Sequence, residues 1–216
     1  MHCPSTTANA RVLQGIYRRL FRAFGPQHWW PGDTKLEIAV GAILTQNTTW
    51  GNVEKAIAVL KSRRLLSLKR LARLSPVELA PLVHSAGFFN FKAARLAEFL
   101  QWLEALGGFP GLRRIPTRTL RPMLLERNGV GPETADSILL YALGRPVFVV
   151  DAYTRRILSR YGLIVGDEPY EHLRLMFESS LPHGSKLYNE YHALLVRLAK
   201  ENCRSRPACD SCPLAR

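Results

Sequence analysis

The chain has 216 residues, of which 47% are hydrophobic, and its 30 Lys and Arg residues against 17 Asp and Glu residues give a net charge of +13. This length supports one good core or two small lobes, and the hydrophobic fraction excludes disorder over most of the chain. The charge favours polyanions, of which nucleic acid is the commonest, although a merely basic soluble surface and binding to anionic membranes are open alternatives.

Apolar residues recur at helical spacing along almost the whole chain. Helices are predicted, in chain order, over Arg11–Phe24, from Asp33 or Thr34 to Thr45, over Asn52–Leu60, from Ser75 onward, and over Phe91–Leu106, Thr117–Arg127, Pro132–Leu143, Ala152–Tyr161, Tyr170–Ser180 and Lys186–Glu201. Val147–Val150 is the most strand-like run, but it is short enough to be a buried connector. Short helices joined by short loops predict an all-α fold.

Two features of the sequence bear on where the protein works. No apolar run approaches the roughly 18 residues that a membrane-spanning helix needs. The segment Met1–Ala10 lacks the apolar core of a signal peptide. We therefore predict a cytoplasmic protein that binds no membrane and that, in a bacterium, associates with the nucleoid.

The segment Asn128–Ala135 joins two predicted helices through two glycines that flank Val130. Glycine permits positive φ and close approach, and such a turn presents backbone amides at the start of the next helix, where they bind a phosphate without reading sequence. For an isolated Gly-Val-Gly, a plain interhelical turn is the favoured interpretation. Further along, Asp151 ends an apolar connector and opens a basic helix. An aspartate there is either a simple N-cap or a carboxylate held in a cleft.

The pairing of Gly-Val-Gly-X-X-Thr-Ala with Val-Asp at this spacing resembles the helix-hairpin-helix, Gly/Pro-rich, aspartate (HhH-GPD) superfamily of DNA glycosylases. That superfamily includes endonuclease III and the adenine mismatch glycosylases. The segment Leu44–Thr48 resembles the one that fills the gap left by a flipped base. The segment Gly87–Ala93 resembles the loop whose apolar residue wedges into the base stack. The match runs in order from about Lys35 to Cys212.

The resemblance implies two α-helical lobes with a DNA-binding cleft. Residues 35–145 would form a six-helix lobe with the hairpin, and residues 1–34 with 146–216 would form a terminal lobe with the cysteine cluster. The residues implied to bind DNA are Gln46, Asn47, Phe88, Phe89, Asn128, Gly129, Val130, Gly131 and Thr134. Family members also hold a monovalent cation at the hairpin carbonyls, which would be those of Asn128, Val130 and Gly131 here.

The resemblance also bears on the chemistry. Bifunctional family members carry a lysine in the helix after the hairpin, which attacks C1′ of the sugar and forms a Schiff base. Glu133 occupies that position, and a carboxylate cannot form an imine. The expectation is a monofunctional glycosylase that uses water, with Asp151 and Glu133 facing each other at the mouth of the cleft. Asp151 would orient the water or stabilise the positive charge that grows on the sugar.

Aromatic residues cluster before the second predicted helix and after the gap-filling segment. Trp-Trp-Pro followed by Leu-Thr-Gln-Asn-Thr and Gly-X-Gly-X-Glu-Thr-Ala-Asp resembles the 3-methyladenine glycosylases of the endonuclease III lineage. In that branch such aromatics form the base pocket, which implies the pocket residues Trp29, Trp30, Pro31 and Trp50. Aromatic walls grip a flipped base by stacking, and a cationic base gains cation–π attraction. The alternative is that Trp29 and Trp30 belong to the core.

Three of the four cysteines lie within the last fourteen residues, as Cys203-X5-Cys209-X2-Cys212. The cluster resembles the iron–sulfur loop of the family, which implies a [4Fe–4S] cluster that orders a DNA-contacting loop. No fourth cysteine follows Cys212 before Arg216, so Cys3 and His192 are candidate fourth ligands. A zinc site needs four ligands as well. A degenerate loop that has lost its metal is the alternative.

Three hypotheses for function remain open. The first is a monofunctional glycosylase for N-alkylated purines such as 3-methyladenine. The second is an endonuclease III-like glycosylase for oxidised or mismatched bases, with lyase activity supplied by another lysine such as Lys200. The third is a binding module without turnover. In each case the predicted partner is double-stranded DNA with a damaged base, and the predicted state is a monomer.

Overall fold

A computed structural model of the protein describes residues 6–29 and 32–215. Within these two ranges the regular structure is helical throughout, and no β-strand is present. The α-helices are α1 (Thr6–Phe24), α2 (Lys35–Leu44), α3 (Trp50–Ser62), α4 (Leu68–Leu71), α5 (Pro76–Leu82), α6 (Phe89–Ala105), α7 (Gly108–Arg114), α8 (Thr117–Leu125), α9 (Pro132–Ser137), α10 (Ala152–Tyr161), α11 (Tyr170–Ser180) and α12 (Ser185–Glu201). A 3₁₀ turn, His84–Ala86, precedes α6, and a π-helical turn, Ile138–Ala142, follows α9. The prediction of an all-α fold is confirmed.

The chain divides into two compact units. The central unit is Trp30–Leu143, and the terminal unit combines Met1–Trp29 with Gly144–Arg216. Among the described helices, none combines the length and the apolar character that crossing a bilayer requires.

Helix α2 lies at the core of the central unit. Its sequence after Lys35 is apolar on nearly every side, and a helix of that kind is stable only when it is buried. It packs against α3, α6, α9 and the π-helical turn. Thr34 caps its start by accepting a hydrogen bond from the Glu37 N–H at 3.1 Å, as the sequence predicts. The helix therefore fixes the segment that follows it, which contains Gln46.

The core of the terminal unit is aromatic. Helix α1 packs against α11 and α12, and α10 packs against α12. The rings of Phe148 and Phe177 stack with centroids 3.9 Å apart, and the Tyr191 hydroxyl donates to the Leu13 carbonyl at 2.8 Å. Val147–Val150 is buried without strand structure, so the prediction of a buried connector is confirmed. This connector leads directly into Asp151.

Two segments differ from the sequence prediction. The sequence predicts a helix that ends at Leu106 and none directly after it, but the φ angles of 80° at Gly107 and 70° at Gly108 let α7 begin at once. The helix predicted over Pro132–Leu143 becomes π-helical at Ile138, and the Leu143 N–H donates to the Ile138 carbonyl at 3.2 Å. A π-helical turn holds an extra residue, so it shifts the helical phase of the residues that follow the hairpin.

Candidate active site

The hairpin between α8 and α9 has a buried centre and an accessible backbone on either side. Gly129 has a φ of 76°, which glycine adopts without strain. Val130 is buried, and its N–H donates to the Arg127 carbonyl at 3.0 Å. Asn128 and Gly131 are exposed. The turn therefore locks the two helices through Val130 and leaves the neighbouring backbone open to a ligand.

Gln46 joins the predicted gap-filling segment to the hairpin. Its side-chain amide nitrogen, Nε2, donates to the Gly129 carbonyl at 2.6 Å and lies 3.1 Å from the Thr134 hydroxyl. Its oxygen, Oε1, accepts from the Arg95 guanidinium at 3.1 Å. Three of the residues predicted to bind DNA are thus brought together within the central unit. Arg95, which the sequence prediction omits, is part of the same network.

Gly129→Ala is expected to lower the free energy of unfolding by about 1–3 kcal/mol, because it combines a strained left-handed backbone with a steric clash. A Cβ at this position would lie 2.2 Å from Cδ of Arg95, so Arg95 would have to leave Gln46. Denaturant unfolding measures the change. Gly131→Ala is the matched control, since its φ is −81° and a Cβ there would meet nothing within 4 Å. Equal losses in the two variants would contradict this explanation.

The predicted wedge loop, in the segment Gly87–Ala93, has a solvent-exposed aromatic ring at Phe88. Phe88 has a left-handed backbone with φ of 45° and is 68% exposed. Phe91, one turn into α6, is 70% exposed. Phe89 instead is partly buried and packs against the His84 ring, with centroids 4.5 Å apart. Large apolar side chains are seldom so exposed together without a partner to cover them. Phe88 rather than Phe89 is therefore the ring available for insertion.

Lys92 holds the wedge loop to the end of α2. Its side chain is 2% exposed, and its ammonium group donates to the carbonyls of Leu44 at 2.9 Å and Ala86 at 2.6 Å. Burial lowers the pKa of Lys92, and the nearby charge of Arg95 lowers it further. Leu44 ends the helix before the gap-filling segment, and Ala86 precedes the wedge. One buried cation thus fixes both segments.

These segments line one concave surface in the central unit. Its volume is about 270 Å³, and its lining residues are Gln46, Asn47, Phe88, Phe91, Lys92 and Arg95. Lys92 and Arg95 are three residues apart on α6, which places them on one helix face. This spacing of two basic residues, directly after the predicted wedge loop, is the sequence feature from which Lys92 and Arg95 could have been predicted as site residues.

In the terminal unit, Asp151 is both an N-cap and a buried carboxylate. One oxygen, Oδ1, accepts from the Thr154 N–H at 2.7 Å and from the Thr154 hydroxyl at 2.8 Å. The other, Oδ2, lies 3.5 Å from Nε2 of His192, and the Asp151 side chain is 14% exposed. The sequence left two interpretations of Asp151, an N-cap or a carboxylate held in a cleft. Oδ1 forms the N-cap, and Oδ2 is the buried oxygen to which the second interpretation applies.

The surroundings of Asp151 favour its charged form. Burial raises the pKa of Asp151, but the charge and hydrogen bond of His192 and the hydrogen bonds from Thr154 outweigh it. The net pKa lies below the ordinary value of 3.8, so the group is a carboxylate at neutral pH. A carboxylate can orient water or stabilise a positive charge on a sugar.

Glu133 and the predicted pocket aromatics lie in different surroundings. Glu133 is exposed in the first turn of α9, in the central unit. Trp29 is partly buried in the terminal unit, and its ring centroid lies 6.3 Å from that of His192. Trp50 opens α3 in the central unit. The other two predicted pocket residues, Trp30 and Pro31, lie outside the described residues.

The three C-terminal cysteines have different environments. Cys203 is buried, and its sulfur accepts from the Arg160 guanidinium at 3.5 Å. Cys209 is exposed. Cys212 is partly exposed, and its sulfur accepts from the Leu214 N–H at 3.4 Å. The surrounding loop is held by guanidinium groups of α10, which donate to its backbone carbonyls.

Among the described residues, this arrangement shows no complete ligand set for an iron–sulfur cluster. Over residues 6–29 and 32–215, no group of three or more His, Cys, Asp or Glu side chains is placed to hold a metal ion. Cys3, a candidate fourth ligand, lies outside the described residues, and His192 lies beside Asp151 instead. The ligand set of the predicted [4Fe–4S] cluster is therefore not complete among the described residues, the cluster stays a prediction, and no step of the chemistry below depends on one.

Comparison with known proteins places the chain in a family. The model of the HhH-GPD superfamily of base excision DNA repair proteins matches residues 40–183. A protein of Methanocaldococcus jannaschii, provisionally named a DNA repair glycosylase, is 46% identical over 206 residues that cover 94% of each chain. Endonuclease III of Thermotoga maritima is 26% identical over 207 residues, which cover 93% of this chain and 89% of that protein.

A solved structure extends the likeness to the fold. The crystal structure of an H. pylori 3-methyladenine DNA glycosylase bound to 1,N6-ethenoadenine matches with a TM-score of 0.73 and 29% identity. The match covers 91% of this chain and 97% of that one. The chain therefore belongs to the HhH-GPD superfamily of base-excision DNA repair proteins and is a DNA repair glycosylase of that family.

Proposed function

We propose that the protein is a monofunctional glycosylase that binds duplex DNA with a damaged base and hydrolyses the N-glycosidic bond of that base after flipping. The preferred base is an N-alkylated purine such as 3-methyladenine. The single observation that carries the proposal is Glu133, at the position where the bifunctional members of the family have a lysine. A carboxylate forms no imine with C1′, so strand cleavage by elimination has no intermediate to start from.

In this mechanism, Asp151 acts at the sugar. As the glycosidic bond breaks, positive charge develops on the sugar ring, and a nearby carboxylate stabilises it or orients the attacking water. The lowered pKa of Asp151 keeps it ionised for this role. His192, 3.5 Å from Oδ2, positions the carboxylate. Oδ1 accepts both hydrogen bonds from Thr154, so Oδ2, which faces His192, is the oxygen that acts at the sugar.

The choice of an alkylated purine has two supports. An N-alkylated purine carries positive charge and is already a good leaving group. One carboxylate and a pocket that stacks on the base are therefore sufficient to break its glycosidic bond. The solved structure with 29% identity is that of a 3-methyladenine DNA glycosylase. The rival is an endonuclease III-like activity on oxidised or mismatched bases, which is supported by the Thermotoga maritima relative.

Borohydride trapping separates the two activities. We expect no covalent adduct between the protein and duplex DNA carrying 3-methyladenine or thymine glycol, because only an imine is reduced to a stable bond. Glu133→Lys supplies an amine at the position of the family's nucleophile and is expected to gain trapping. An adduct formed by the unaltered protein would contradict the proposal and would indicate another lysine, for which Lys200→Met is the next variant.

Phe88→Ala is expected to lower the rate of base release about tenfold, since stacking of one aromatic ring on a base contributes roughly 1–3 kcal/mol. The free energy of unfolding should hardly change because the ring is 68% exposed. Single-turnover release and denaturant unfolding give the two values. Val77→Ala, which removes an apolar side chain that is 83% exposed on α5, is the control. A matching loss in Val77→Ala would refute the wedge role.

A further inference from the structure

A dense group of cations lies in the loop and the short helix α4 that follow α3. Between Glu54 and Glu78 the chain has seven Lys and Arg residues and no Asp or Glu. Five of these cations are exposed and form the basic cluster: Arg63, Arg64, Lys69, Arg70 and Arg73. None of the five forms an ion pair with a carboxylate within residues 6–29 and 32–215. Neighbouring side chains therefore do not neutralise the cluster.

The basic cluster lies at the opposite end of α3 and α6 from the predicted DNA-contact segments. Gln46 precedes α3 and Phe88 precedes α6, whereas the cluster follows the last residue of α3. Helix α4, within the cluster, packs against α6. A Cβ on Gly108, just past the end of α6, would lie 3.2 Å from the Leu68 side chain at the start of α4. Helices of 13 and 17 residues are about 20 Å and 25 Å long. The cluster is therefore separate from the concave surface around Phe88.

Arg64 has a backbone conformation that glycine normally adopts. Its φ is 54°, and the Leu65 N–H donates to the Leu60 carbonyl at 2.9 Å, which is the pattern of a helix end with a left-handed residue after the cap. Glycine is the usual residue there because a side chain costs free energy in this region. The Arg70 guanidinium donates to the Arg64 carbonyl at 2.6 Å and so holds the loop in place. An arginine at a strained position inside the cluster indicates a role for its charge.

The surface around the cluster indicates the class of ligand. Between Lys61 and Ser75, no apolar side chain is exposed and no aromatic residue occurs. Protein interfaces have an apolar or aromatic centre, and helices that lie on membranes bury an apolar face, so neither partner fits. Lys and Arg side chains bind phosphates with release of counterions, and arginine forms paired hydrogen bonds to phosphate oxygens. The favoured ligand is therefore the sugar–phosphate backbone of duplex DNA.

We propose that the basic cluster binds the phosphate backbone of a second duplex segment while the surface around Phe88 holds the damaged one. The first contact rests on the proposed function, and the second adds a separate DNA site. Binding at the cluster is independent of base sequence, because phosphates carry no sequence information. Two such surfaces keep two DNA segments at a high effective concentration, so the protein can pass between them without release into solution.

Capture of a second duplex tests this site in the full chain. The protein is loaded to saturation on an immobilised duplex with an abasic-site analogue, and retention of a labelled undamaged duplex is measured over a range of salt concentrations. We expect the unaltered protein to retain the labelled duplex. Arg63→Gln, Lys69→Gln and Arg73→Gln combined should lower its affinity about 100-fold at about 0.15 M salt, and the slope of log K against log salt should become shallower by about 0.9 for each cation removed.

Arg64→Gly separates the charge of the cluster from its structural effect. Glycine relieves the left-handed backbone, so the denaturant midpoint should rise. Affinity for the second duplex should nevertheless fall about fivefold at about 0.15 M salt, as for loss of one phosphate contact. A merely structural role for Arg64 would instead move stability and affinity in the same direction.

A matched control removes three exposed cations from the terminal unit. Arg11→Gln, Arg18→Gln and Arg22→Gln combined lower the net charge of the chain by the same amount and lie on α1. Affinity for the second duplex should change less than about twofold in this variant, because exposed charges beyond a Debye length of about 8 Å are largely screened.

Retention that is absent in the unaltered protein, or unchanged in the triple variant of the cluster, overturns the second site. An equal loss in the control variant overturns it too, since net charge alone would explain the result. An equally large loss of affinity for the immobilised duplex would place the cluster on the same DNA segment and has the same consequence. Retention by a protein that releases no base leaves the second site standing and contradicts the proposed function. Should the triple variant not fold, Arg64→Gly decides alone.

Discussion

Asp151→Asn is expected to lower base release by about 10²–10⁴-fold, the range for loss of a positioned acid or base. The substitution removes the negative charge of the carboxylate, which would stabilise the sugar cation, and it keeps the number of heavy atoms in the side chain. Single-turnover release of 3-methyladenine from duplex DNA is the measurement. Affinity for a duplex with an abasic-site analogue should stay within about twofold, because backbone and phosphate contacts supply most of that affinity.

Because Asp151 also caps α10, comparing Asp151→Asn with Asp151→Ala separates the loss of charge from the loss of the cap. Asparagine is as good an N-cap as aspartate. Asp151→Asn therefore keeps an oxygen that can accept from the Thr154 N–H, which lies 2.7 Å from Oδ1 in the unaltered protein. Asp151→Ala loses the cap too and should cost about 1 kcal/mol of unfolding free energy in addition. If Asp151→Asn released bases at the normal rate, Asp151 would be a structural cap and nothing more.

Arg121→Met is expected to produce the largest loss of stability, about 3–5 kcal/mol, because it removes a partner from a fully buried carboxylate. Asp136 is 0% exposed, and Arg121 bonds both of its oxygens, at 2.6 Å and 3.0 Å. The pair joins α8 to α9 on either side of the hairpin. Denaturant unfolding of the variant gives the free energy directly.

Two further variants test this explanation. Asp33→Asn breaks a pair in which the aspartate is 82% exposed and should cost less than about 1 kcal/mol. Adding Asp136→Asn to Arg121→Met should recover part of the loss, since the buried charge that lost Arg121 is gone. A loss in Arg121→Met as small as that in Asp33→Asn would show that the carboxylate has other sufficient compensation.

The features that the sequence predicts well depend on residues close together in the chain. The helix predicted from Ser75 onward is present, and it begins with a capping box in which the Ser75 N–H donates to the Glu78 carboxylate at 2.8 Å. The cap by Asp151 likewise follows from a local pattern, since an aspartate there opens a helix directly after an apolar connector. Such features can be predicted because they depend only on residues within one or two helical turns of each other.

The features that the sequence does not predict depend on distant residues. The bond between Arg95 and Gln46 and the bond between Lys92 and Leu44 each join α6 to the end of α2. The approach of His192 to Asp151 joins α12 to the start of α10. No local pattern encodes such contacts, since they depend on how helices pack. The cysteine spacing illustrates the same limit: it is ligand-like along the chain, yet among the described residues no group of three ligating side chains is placed to hold a metal ion.

Base release from duplex DNA carrying N-alkylated purines, beside thymine glycol and mismatch duplexes, decides whether the protein is a monofunctional glycosylase. Each reaction is analysed for strand breaks with and without hot alkali. We expect release of 3-methyladenine with strand breaks only after alkali, because a monofunctional glycosylase leaves an intact abasic site. Breaks on thymine glycol without alkali would contradict it, because they require a nucleophile that Glu133 cannot supply.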